Sequence, residues 1–141
     1  MDGDYLPVLS QLEQDTVVVE WDIAVSREDI AVFTAACEAE PSRVRVAPYR
    51  IYLQSADGLV ARWAHQSAYF RRESRWFISD GEPECRWFGL GLVYLPLAVV
   101  RAFIESDPVR PVTDTSFSVW HHDAFGLVPV EWPVRPVHLH Y

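Results

Sequence analysis

The chain has 141 residues, half of them apolar and 13% aromatic, and a formal net charge of −8. That length and composition suit one domain with its own hydrophobic core and exclude a globally disordered chain. No stretch reaches the about 18 apolar residues of a membrane helix, and an acidic balance disfavours DNA or RNA, whose phosphates it repels.

All twelve cations are arginine, and neither lysine nor asparagine occurs. Both missing residues have A-rich codons, which points to a GC-rich, bacterial coding sequence. Their absence also excludes Schiff-base and P-loop lysine chemistry. The opening Met1-Asp2-Gly3-Asp4 is acidic where a signal peptide would be basic, so a cytoplasmic location is expected. Cys37 and Cys85, the two cysteines, are then expected to be reduced. Charge is uneven: residues 1–42 hold ten acids and one arginine, residues 43–101 nine arginines and five acids, and residues 102–141 five acids and two arginines. The N-terminal third therefore matches a basic protein or a cationic small molecule.

In chain order, residues 1–15 read as an irregular acidic leader with a helical turn around Leu9 and Leu12, and residues 16–141 as a single α+β domain. Alternation predicts a strand over 16–25, with Val19, Trp21, Ile23 and Val25 on one face and Glu20, Asp22 and Ala24 on the other. Ser26, with Asp29 three residues on, caps a helix whose buried stripe is Ile30, Phe33 and Cys37 and which Pro41 ends. A strand over 43–46 is interrupted by Pro48 and resumes over 49–54. Asp57-Gly58 signals a hairpin to a strand over 59–65, and a further strand covers 69–79. Residues 85–94 read as a strand, and a second helix runs from Pro96 to about Ser106. The pattern then predicts strands over 115–122 and 127–132 around a turn at 123–126, and an alternating tail over 134–141.

This gives two βαβββ-like halves forming a mostly antiparallel sheet packed against two helices. The order resembles the paired modules of the vicinal oxygen chelate proteins, such as the glyoxalases and the bleomycin-binding resistance proteins. That family places a metal-binding His or Gln early in its first strand and Glu on later strands. Here the first strand offers Glu20 and Asp22 and the last offers His138 and His140, so the resemblance implies a fold and no metal site.

Four constellations could carry chemistry. Trp120-His121-His122-Asp123 ends a predicted strand, which would turn His121 toward the face of Phe117 and Val119 and His122 toward that of Ser116 and Ser118. His122 beside Asp123, with His121 adjacent, could act as an oriented general base; the alternative is a structural pair of histidines. His138 and His140 share one strand face at metal-ligand spacing, with Asp123 or His65 as a third ligand, or else simply face water. Arg43, Arg45, Arg50, Arg62, Arg71, Arg72 and Arg75 are interleaved with Trp63, Tyr69, Phe70 and Trp76. Such a block can hold an anion or a base, or pair with the chain's own acids. Trp63, Trp76 and Trp120 could line a pocket for a flat ligand, or belong to the core. Cys85 beside Arg86 raises the question of a lowered thiol pKa. No nucleotide loop, nucleophile elbow or zinc signature occurs.

The favoured expectation is a non-catalytic binding protein, in its sharpest form an immunity or antitoxin-type protein that sequesters a basic protein partner. Glu20 and Asp22, with Glu13 and Asp15, would form the acidic contact face, and Trp63, Trp76, Trp120 and Arg62 would supply further binding groups. The alternative is a small-molecule-binding protein or cofactor-independent enzyme of cyclase, isomerase or drug-sequestering type, with an aromatic pocket and His122 and Asp123 moving protons. Neither reading needs a cofactor, and both leave a homodimer open.

Overall fold

A computed structural model describes residues 3–56, 58–70, 73–78 and 81–139, with the backbone alone described for 51–55, 58–70 and 73–78. The N-terminal segment carries a short helix, α1 (Leu6–Ser10), whose Leu9 is buried in the domain core. The strand predicted over 16–25 is broken into β1 (Thr16–Val19) and β2 (Ile23–Ala24), which belong to different sheets. Glu20, Trp21 and Asp22 form the turn between them, closed by the Ile23 N–H donating to the Glu20 carbonyl at 3.1 Å.

Helix α2 (Arg27–Ala39) begins as its sequence requires: the Ser26 hydroxyl accepts the Asp29 N–H at 3.0 Å, and Phe33 and Cys37 face inward. The chain continues through β3 (Arg45–Val46), β4 (Tyr49–Ser55), β5 (Gly58–Phe70), β6 (Glu73–Ile78), β7 (Glu84–Cys85) and β8 (Leu92–Leu95). Helices α3 (Leu97–Glu105) and α4 (Asp114–Phe125) follow, then β9 (Val128–Pro129) and β10 (Val137–His138).

The class is α+β in one small domain, with sheets in the orders β1-β8-β3, β2-β10-β4-β5-β6 and β7-β9. Pairing is antiparallel apart from β10 with β4 and a bridge from Val46 to Val130. The second half departs from the expected order, because residues 115–122 form part of α4 and not a strand. Thr113 and Ser116 make a reciprocal capping box, Phe117, Trp120 and His121 then recur at helical spacing, and Gly126 at φ +87 ends the helix. The four described helices thus replace the two expected, and the vicinal oxygen chelate order does not extend through the second half. No described helix is long and apolar enough to cross a membrane.

All four side chains of β8 are buried, and they alternate between two cores. Leu92 and Tyr94 join Phe33, Cys37, Ala47 and Val134 on the α2 side. Val93 and Leu95 face the larger core of Phe88, Phe103, Phe117 and their neighbours beneath α1, α3 and α4. The Tyr94 hydroxyl donates to the Pro41 carbonyl at 2.7 Å, tying the strand to the end of α2.

Gly91, just before β8, is fixed by close approach: a Cβ there would lie 2.8 Å from Cε1 of the Tyr49 ring and 3.3 Å from Cδ1 of Ile23. Tyr49 is 4% exposed, so its ring has little room to retreat. Gly91→Ala should therefore destabilise the fold by about 1–3 kcal/mol, read as a lower urea midpoint; an unchanged midpoint would show that the ring gives way freely.

Candidate functional site

The break between β1 and β2 creates the most distinctive surface of the described structure. Trp21 is 73% exposed at the turn, where strand alternation would have buried it. Beneath it runs a groove of about 220 Å³ between α1 and β1, lined mainly by Val8, Leu9, Leu12, Val18, Leu90 and Leu95. Residues 5, 8, 9 and 12 reach it from one side of the α1 segment at i, i+3, i+4 and i+7. Two polar groups enter this apolar lining, the Tyr5 hydroxyl and the Glu20 carboxylate, and they meet: the hydroxyl donates to Glu20 Oε2 at 3.1 Å.

The position of Tyr5 is set by the loop before α4. Its N–H donates to the Val112 carbonyl at 2.9 Å, and Asp4 Oδ1 accepts from Val112 N–H at 2.8 Å and from Leu6 N–H at 3.1 Å. Asp4 also pairs with Arg110. Glu20 is held by its N–H donating to the Gly91 carbonyl at 2.9 Å. Burial pushes the Glu20 carboxyl above its ordinary range; Asp22 and Asp114 push in the same direction, and the Tyr5 hydroxyl partly offsets them. Asp114, in the first turn of α4, is likewise raised by burial. Burial, then the Glu20 charge, pushes the Tyr5 hydroxyl up as well.

Asp22 lies on the far side of the turn, paired with His138 Nε2 at 3.2 Å. The His138 ring packs 5.5 Å from that of Tyr49, and the Leu139 N–H donates to the Asp22 carbonyl at 2.8 Å. His138 thus serves to hold the tail on the turn, and His140 lies outside the described residues. No cluster of three or more His, Cys, Asp or Glu with metal-holding geometry occurs among the described residues. Of the other acids expected on this face, Glu13 is exposed, while Asp15 accepts the Leu97 N–H at 2.8 Å and so caps α3.

The Trp120–Asp123 constellation changes character in a helix. Consecutive helical residues point about 100° apart, so His122 and Asp123 are not arranged as the oriented pair expected on a strand. Asp123 is exposed and His122 half-buried. His121 is 3% exposed and packs against Phe88 and Phe125, with ring centroids 5.6 Å and 5.2 Å away. Trp120 is half-buried, its ring 5.1 Å from Phe103 and 5.7 Å from Phe125. The side chains of Trp63, Trp76 and Arg62 lie outside the described residues, as do those of His65, Arg71, Arg72 and Arg75.

Two members of the arginine block, Arg43 and Arg45, pair internally. Arg45 reaches Glu131 at 2.8 Å and Glu40 at 3.2 Å, and Arg43 reaches Glu84 at 3.3 Å and Glu40 at 3.4 Å. Cys85 is the reverse of an activated thiol: burial pushes it up to about 12, and Glu82 and Glu84 push the same way. Burial also pushes Cys37 up to about 12.

No family model matches the chain, and comparison with curated proteins and with solved structures gives no match.

His121 carries a testable electrostatic consequence. Burial, with smaller contributions from His122 and Arg43, pushes it from 6.5 down to about 4. Between those values the fold binds fewer protons than the unfolded chain. The stability due to neutral His121 is therefore complete above about pH 6.5 and is lost as pH falls toward 4. The stability advantage of the wild type over His121→Gln should shrink steadily across that window in urea unfolding; a pH-independent difference would contradict a neutral buried imidazole.

Proposed function

We propose that the chain is a non-catalytic binding protein that docks a basic protein partner on the face formed by α1 and the Glu20–Trp21–Asp22 turn. The observation that carries this reading is Trp21, 73% exposed at the rim of an apolar groove and flanked by two carboxylates. Interface hot spots are enriched in tryptophan set against well-packed apolar surroundings. At about 220 Å³ the groove is smaller than the roughly 300–1,000 Å³ of small-molecule sites, which favours a side chain of a larger partner as its occupant.

Charge supports the same choice. Residues 1–42, which contain α1, β1 and the turn, carry ten acids against one arginine. An acidic face accelerates encounter with a basic partner and repels an acidic one. The sharpest form of the proposal is an immunity or antitoxin-type protein whose acidic face covers the working surface of a basic toxin. Cys37 and Cys85, both free and buried, suit a reducing, cytoplasmic setting.

The proposal predicts that the chain co-purifies from its own host with a basic protein in fixed stoichiometry, measured by native mass spectrometry. Trp21→Ala should still unfold cooperatively in urea and should weaken that complex by at least about tenfold, in keeping with a hot-spot loss of ~2 kcal/mol. A partner that is acidic, or that binds Trp21→Ala at full strength, would contradict the proposal.

A further inference from the structure

We infer that the groove reads one kind of side chain from that partner: a lysine or arginine, its hydrocarbon stem laid along Val8, Leu9, Leu12 and Val18 and its charged end at Glu20. This rests on the docking proposal above and adds the chemistry that selects the occupant.

Filling the groove changes the surroundings of Glu20. Any occupant removes water from a carboxylate that already stands among apolar side chains. Among the described residues, the groups acting on it are the Tyr5 hydroxyl before α1, Asp22 across the turn with its His138 partner from β10, and Asp114 from α4. Tyr5 supplies one hydrogen bond at 3.1 Å, whereas Asp22 and Asp114 repel the charge. An apolar side chain would gain hydrophobic contact but leave the carboxylate desolvated and unpaired. An anionic side chain would add a third repulsion. A cation reverses both penalties, since it pairs with the Glu20 charge that Asp22 and Asp114 repel.

Lysine and arginine also match the shape. Both carry an apolar stem that lies along hydrophobic surface and a charged end that seeks a polar partner. Selectivity thus arises from a half-buried carboxylate that penalises the wrong occupants as much as it attracts the right one.

The test uses n-hexylammonium, n-hexanol and hexanoate as probes that share a chain and differ in charge, titrated into the ¹⁵N-labelled full chain. The amides of Leu9, Leu12, Val18 and Val19 report on the groove. Hexylammonium should give saturable shifts there, hexanol should bind at least about tenfold more weakly, and hexanoate should give none. Glu20→Gln keeps an acceptor for the Tyr5 hydroxyl and should lower hexylammonium affinity at least about tenfold without lowering that of hexanol. Tyr5→Phe keeps the carboxylate and should preserve the preference. No hexylammonium shifts, equal or tighter binding of hexanol or hexanoate, or an unchanged affinity in Glu20→Gln would each overturn the inference. Should Glu20→Gln fail to fold, the ranking of the three probes on the wild type decides alone. The assay contains no partner protein, so its failure is separate from a failure of Trp21→Ala to release a basic partner.

Discussion

Strand β8 is the constraint on which the rest of this protein depends. Four consecutive side chains, Leu92 to Leu95, are buried on alternate faces of a three-stranded sheet, so neither face can be left to solvent. Antiparallel sheets commonly cover one face only. Here α2 closes one side, while α1, α3 and α4 close the other, and Tyr94 is hydrogen-bonded to the end of α2. The N-terminal segment belongs to this arrangement: Leu9 is a core residue, and Tyr5 and Leu12 pack around the same cluster.

The candidate site is a by-product of that closure. β1 pairs with β8 from Thr16 to Val19 and ends where the Glu20 N–H meets the Gly91 carbonyl. Two residues beyond Trp21, the chain has joined the second sheet through β2 and β10. The transfer between sheets turns Trp21 outward and leaves Glu20 and Asp22 in different surroundings, one over the groove and one paired with His138.

Much of the architecture was legible in the sequence because local signals agreed with the final packing. The Ser26–Asp29 cap, the Phe33–Cys37 stripe, the proline opening α3 and the α+β class all follow from short-range chemistry. The strand expected over 115–122 is part of α4: Phe117, Val119 and His121 fit a two-residue period, while Phe117, Trp120 and His121 fit a helical one. The capping box at Thr113 and the glycine at 126 were the signals that distinguish them. The break at Trp21 had no comparable local signal: alternation persists from Val17 to Val25, and the division between two sheets is set by distant β8 and β10. Hence Glu20 and Asp22 could be chosen as acidic candidates on charge alone, but neither Trp21 nor Tyr5 could be recognised as a member of the same face. The pairing of Arg45 with Glu131 is also a tertiary fact, joining residues 86 positions apart.

Because its side chains enter both cores, β8 should couple them into one cooperative unit that holds the groove preformed. Native-state hydrogen exchange measures this most directly. The β8 amides and their ladder partners in β1 and β3 should exchange only through global unfolding, with an opening free energy equal to that from urea denaturation. Exchange of the β8 amides at a clearly lower free energy than the most protected amides of α2 or α4 would contradict it, because the two cores would then open independently.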